Sequence, residues 1–106
     1  MNLNITFKHV DSSEALKEFI REKSETLSKY FQGKISVNWV ISTEKLSRVV
    51  TCHLSGNSMN YMGEGRSEDF RASVDIALNK IEKQIRKHKE IVTDHTNHNI
   101  RGLRAA

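Results

Sequence analysis

Apolar and polar residues alternate at the start of the chain, with Leu3, Ile5 and Phe7 on one side and Asn2, Asn4 and Thr6 on the other. A period of two predicts a half-buried strand. The period then lengthens. Asp11-Ser12-Ser13-Glu14 reads as a helix start, with Asp11 as cap and Glu14 placed to bond back. Leu16, Phe19, Ile20, Leu27, Tyr30 and Phe31 follow at helical spacing, and Gly33 is a natural stop. Ile35, Val37, Trp39 and Ile41 alternate with Ser36, Asn38, Val40 and Ser42, predicting a second strand. Thr43 to Ser47 is a polar turn, Val49 to Leu54 a third strand and Gly56-Asn57 a hairpin turn. Met59, Tyr61 and Gly63 then alternate with Asn60, Met62 and Glu64, and Gly63 and Gly65 suggest a bulge. Ser67 is the expected cap of a last helix, with Glu68 and Asp69 favourable to its dipole. Its apolar stripe, Phe70, Val74, Ala77, Leu78, Ile81 and Ile85, fades near Val92.

The order is strand, helix, three strands, helix. A strand–helix–strand unit implies parallel first and second strands, and the remaining strands form an antiparallel meander. Each helix has one apolar stripe, so both lie on one face of a four-stranded mixed sheet. The expected fold class is α+β, a two-layer β-α-β-β-β-α sandwich over residues 1–92. Thr93 to Ala106 has no period and is expected to be a flexible tail.

Composition removes several classes of function. The chain has 106 residues, enough for one domain with a single core. No apolar run approaches the ~18–20 residues of a membrane span. One cysteine, Cys52, cannot make an internal disulfide, and Met1-Asn2-Leu3-Asn4 lacks the features of a secretion signal, so a cytoplasmic protein is expected. Cys52 and His53 are strand neighbours that point to opposite faces, which argues against a thiol–imidazole pair. His88 falls on the apolar stripe and His95 and His98 in the tail, so no metal site is expected. There are no paired carboxylates, phosphate-cradling loop or nucleophile elbow. Neither an enzyme nor a cofactor is expected. Trp39 alternates with Ile and Val, as a core residue does, whereas Tyr61 and Met62 are candidates for exposure on the fourth strand.

The charge is more informative. Seventeen Lys and Arg against thirteen Asp and Glu leave a formal charge of +4. Lys80, Lys83 and Lys87 share one narrow sector of the last helix, flanked by Arg86, with Lys89 beyond. Such a row spans roughly 10 Å, close to the run of a phosphate backbone past several nucleotides. The plainer reading is a solvated basic face that complements the helix dipole. Lys17 and Arg21 lie one turn apart on an exposed face of the first helix. Lys23 falls inside the apolar stripe, where it either snorkels to the edge of the layer or joins the second-helix row in a shared groove.

Leu3-Asn4-Ile5-Thr6, Ser13 to Ile20 and Leu27 through Tyr30-Phe31 resemble the opening of the ribosome hibernation promoting factors. Glu68-Asp69-Phe70, Ala72 to Asp75 and Asn79 to Lys89 resemble the end of the same domain. The likeness spans about residues 1–90. It implies a fold related in topology to double-stranded-RNA-binding domains, and binding in the messenger and tRNA channel of the small ribosomal subunit. Translation would be inhibited by occupancy. The partners implied are that subunit and its ribosomal RNA, with no DNA and no membrane, for a protein that is monomeric when free. The RNA contacts carry over to Lys17 and Lys23, with Arg21 beside them, and to Lys80, Lys83, Lys87 and Lys89, with Arg86 ranked lower. The stretch from Tyr61 to Ser67 is about two residues longer than the family pattern, and Arg71 stands where relatives often carry an aromatic. The long form's second, dimerising domain is missing, so the chain resembles the short form or the N-terminal domain of a long one. A free-standing module for structured RNA is the alternative.

Overall fold

The computed structural model describes residues 1–97 apart from Gln32 and Asn57, with side chains described as far as residue 88. In chain order it contains β1 (Asn2–Phe7), α1 (Glu14–Glu25), a 3-10 turn (Leu27–Tyr30), β2 (Ile35–Glu44), β3 (Ser47–Gly56), β4 (Met59–Ser67) and α2 (Phe70–Asn97). The sheet order is β1-β2-β3-β4. β1 is parallel to β2, and the other pairs are antiparallel. This is the mixed sheet and element order that the alternation predicts.

Register explains why one face is apolar. Ile5, Trp39, Cys52 and Gly63 lie in one row across the four strands, with Leu3, Val37, Leu54 and Tyr61 in the next and Phe7, Ile41, Val50 and Gly65 beyond. The helices cover that face: Leu16 and Ile20 from α1, and Val74, Ala77, Leu78, Ile81 and Ile85 from α2, join it in one core. Trp39 is fully buried, as expected of a core residue. Tyr61 is buried too, against expectation, because its register places it beside Leu54 on the covered face; Met62 is exposed.

The helix ends differ from expectation in ways the local chemistry explains. Ser13, not Asp11, caps α1: its extended backbone lets the hydroxyl accept the Leu16 N–H at 3.2 Å. Glu14 pairs with Lys17 instead of bonding back. α1 stops at Glu25, short of Gly33. Near this end the Ser24, Thr26 and Ser28 hydroxyls donate to the carbonyls of Ile20, Lys23 and Glu25, competing with helix continuation. Gly33, at φ 96°, sits in the connection to β2 in a left-handed conformation that suits glycine. Asp69, not Ser67, caps α2 through its carboxylate on the Ala72 N–H at 3.2 Å. Ser67 supports the cap by accepting the Asp69 N–H at 3.1 Å.

No bulge interrupts β4, whose register with β3 runs unbroken from Met59 to Ser67. The glycines have another purpose. A Cβ on Gly63 would lie 2.5 Å from the Ala77 carbonyl oxygen, and one on Gly65 2.0 Å from that of Ser73. Both admit the α2 backbone against β4. The hairpin expected from Thr43 to Ser47 is tighter, a two-residue turn at Lys45-Leu46 between paired Glu44 and Ser47. Asn57, in the other expected turn, lies outside the described residues. The helix runs to Asn97, five residues beyond the boundary expected at Val92, and residues 98–106 of the expected tail lie outside the described residues.

Candidate nucleic-acid interface

α2 places its cations by periodicity. The stripe from Val74 to Ile85 is fixed against β3 and β4, so Lys80, Lys83, Arg86 and Lys87 are turned outward and all four are exposed. Lys83, Arg86 and Lys87 make no ion pair or hydrogen bond with other described residues. Lys80 differs. Its ammonium donates to the Glu64 carbonyl at 2.7 Å, and Gln84, one turn on, donates to the Met62 carbonyl at 2.7 Å. β4 is an edge strand, and these two side chains occupy carbonyls that would otherwise be free for another strand. The side chain of Lys89 lies outside the described residues.

The basic residues of α1 are placed differently. Lys17 pairs with Glu14 at 3.2 Å, and Arg21 pairs with Glu18. Lys23 reaches across to Asp75 on α2 at 3.4 Å and lies 5.3 Å from the Phe19 ring centroid. The Arg71 guanidinium lies 5.3 Å from the same centroid. Lys23 therefore snorkels to the edge of the layer, its charge taken up by Asp75. Asp75 lies about 140° around α2 from Lys80, so Lys23 does not join the lysine row. Helical spacing already offers the Glu14–Lys17 and Glu18–Arg21 pairs, three residues apart on α1, but is blind to Lys23–Asp75, whose acid comes from the other helix.

Other groups are placed for packing. Cys52 is fully buried, and loss of solvation pushes its thiol up to about 12. It stays protonated near neutrality. The Tyr61 hydroxyl, at the part-buried end of its side chain, lies 3.5 Å from Nδ1 of His88, and partial desolvation raises the pKa of the phenol. Among the described residues no group of three or more His, Cys, Asp or Glu is placed to hold a metal ion. No helix among them is long and apolar enough to cross a membrane.

The arrangement is thus a cationic helix face beside a sheet edge that its own side chains close. Known proteins are similar to this chain in sequence and in fold. Residues 3–93 match the family described as Sigma 54 modulation protein / S30EA ribosomal protein. A ribosome hibernation promoting factor of Escherichia coli is 34% identical over 97 residues, covering 90% of this chain and all of the relative. One of Azotobacter vinelandii is 32% identical over 92 residues, covering 85% of this chain and 84% of the relative. The structure of a ribosomal subunit interface protein from Coxiella burnetii superposes with a TM-score of 0.74 at 24% identity, over 85% of this chain and 99% of that one. The Protein Y N-terminal domain of Thermus thermophilus gives 0.76 at 18% identity, over 83% of this chain and 99% of that one. With a family match over most of its length and relatives about one-third identical throughout, the chain belongs to the Sigma 54 modulation protein / S30EA ribosomal protein family.

Proposed function

We propose that this chain is a ribosome hibernation factor: it binds the small ribosomal subunit in the messenger and tRNA channel, contacts ribosomal RNA through α2, and inhibits translation by occupancy. The observation that carries the reading is the set of three cations on one helix face, Lys83, Arg86 and Lys87, that have no partner among the described residues. Charges already paired within the protein, as on α1, release fewer counterions on meeting phosphate than free ones. The names of the relatives, ribosome hibernation promoting factors, support the choice of partner. The reading needs no chemistry from the protein, and its one thiol is buried and protonated. Lys17, Arg21, Lys23 and Lys80 are secondary contacts in this account, since each must give up or share an internal partner.

The row is short for a duplex reader. Lys83 to Lys87 covers little more than one turn, roughly 6 Å, whereas double-stranded-RNA-binding domains span about 16 base pairs. That favours a preformed ribosomal pocket over free structured RNA. The test is co-sedimentation with purified small subunits at several salt concentrations, for wild type and for Lys83→Gln/Arg86→Gln/Lys87→Gln. Wild type should pellet with subunits and compete with messenger and tRNA. The triple variant should bind more weakly, with a log–log salt slope flatter by roughly two to three units. Unchanged affinity and slope in the variant would remove α2 as the contact. Tighter binding of wild type to naked structured RNA would favour the free-standing module.

A further inference from the structure

The β2–β3 hairpin carries two uncommon features at one place. Its turn is two residues long, Lys45-Leu46, between the paired Glu44 and Ser47. Lys45 sits at φ 56°, and Leu46 is not among the positive-φ residues. A two-residue hairpin turn with positive φ at its first central position alone favours glycine there. A lysine at that position is strained. Of the other non-glycine residues at positive φ, His9 is of a type enriched in the left-handed region, which lysine is not.

Leu46 is the second feature. It is 95% exposed, the most exposed of the large apolar residues among those described, at the end of a four-residue exposed run from Thr43. The tip projects past both neighbouring strands, since β1 ends opposite Ile41 and β4 opposite Arg48. Its charge is also uncommitted. Glu44 is held by Arg66 at 2.7 Å, whereas Lys45 makes no ion pair with a described residue. A turn selected for stability alone would carry glycine and a polar residue here. Where local rules are broken together, a contact is the usual reason.

We infer that the Lys45-Leu46 tip is a second RNA-binding element, Leu46 packing against a base or sugar and Lys45 meeting a phosphate. The choice of RNA rests on the free ammonium beside the apolar side chain, and on the function proposed above. The tip is remote from the α2 cations. Arg48, near the tip, lies 4.9 Å from the ring centroid of Phe70, where α2 begins. Lys83 to Lys87 follow 13 to 17 residues later, roughly 20–26 Å along the helix. The long axis of the molecule extends 50 Å, so the two elements grip separate stretches of RNA.

The test uses the full chain and purified small subunits. Lys45→Gly/Leu46→Asn relieves the turn, so it should melt at or above the wild-type temperature. It should nevertheless bind roughly ten-fold or more weakly, with a salt slope flatter by about one unit for the lost lysine. If that variant melts below wild type, Leu46→Ser alone is measured instead, with the same expected direction. Photo-leucine at position 46 should crosslink to ribosomal RNA. Wild-type affinity in the tip variant, or crosslinks to ribosomal protein only, would overturn the inference while leaving the α2 contact intact. Failure of wild type to bind subunits at all would overturn the proposed function and this inference with it.

Discussion

The indole N–H of Trp39 donates to the Ser24 hydroxyl at 2.9 Å, joining the middle of β2 to the last turn of α1 inside the core. Ser24 in turn donates to the Ile20 carbonyl at 2.7 Å, so both polar groups are satisfied although both residues are fully buried. A tryptophan fills the centre of the two-layer core, and a serine in an otherwise apolar stripe answers its one polar atom.

Ser24→Ala should therefore destabilise by about 1–3 kcal/mol, because it leaves the buried indole N–H without a partner. Trp39→Ala should cost about 3–5 kcal/mol through the cavity it leaves. In a Trp39→Phe background, Ser24→Ala should cost clearly less, since no N–H is orphaned. Denaturant unfolding of the four chains of that cycle checks the coupling. Equal costs of Ser24→Ala in both backgrounds would show that the hydrogen bond contributes nothing.

Gly65→Ala should destabilise by about 1–3 kcal/mol or more, because its Cβ would stand 2.0 Å from the Ser73 carbonyl oxygen. That obstacle is backbone within α2, and relief requires moving the helix away from β4. Gly63→Ala should behave similarly, with 2.5 Å to the Ala77 carbonyl oxygen. Thermal melts and the amide exchange of α2 report both. A melt unchanged from wild type would show that α2 can move off β4 at no cost.

Cys52 makes stability depend on alkaline pH. The folded thiol holds its proton to about 12 against an ordinary value of 9.0. Its contribution is complete below pH 9 and is lost as pH rises from 9 towards 12, the range in which the unfolded chain alone ionises. Unfolding midpoints measured from pH 8 upward should fall more steeply for wild type than for Cys52→Ala. Identical slopes would contradict this. Thiol reagents at neutral pH should label the folded protein only at its rate of opening.

Lys80 and Lys83 should separate in experiment although they lie only about 60° apart around α2. Lys80→Met removes the bond to the Glu64 carbonyl and should lower stability by about 0.5–1 kcal/mol. Lys83→Met should stay within about 0.5 kcal/mol of wild type. On small subunits the order should reverse, with Lys83→Met weakening binding more. Equal effects in both assays would erase the distinction between an edge-closing and an RNA-facing lysine.

Local periodicity determined the elements, because each strand and helix has one face whose burial outweighs the rest. Leu3, Ile5 and Phe7, Ile35 to Ile41 and the Val74 to Ile85 stripe could be placed from spacing alone. The cationic row of α2 was equally legible, since a helix that buries one stripe must expose the opposite residues. Only tertiary structure decided which charges are free. Lys23 finds Asp75 on the other helix, and Lys80 finds a β4 carbonyl, partners 52 and 16 residues away in sequence. The glycines of β4 were misread as a bulge for the same reason. Their missing side chains make room for the backbone of α2, an element that the sequence places next but whose approach it does not measure. Serine, threonine and aspartate near helix ends compete for the same backbone groups, so the caps shifted from Asp11 to Ser13 and from Ser67 to Asp69 once geometry chose among them. Hydrophobic period specified what is buried; long-range contact specified what the exposed charges are left to do.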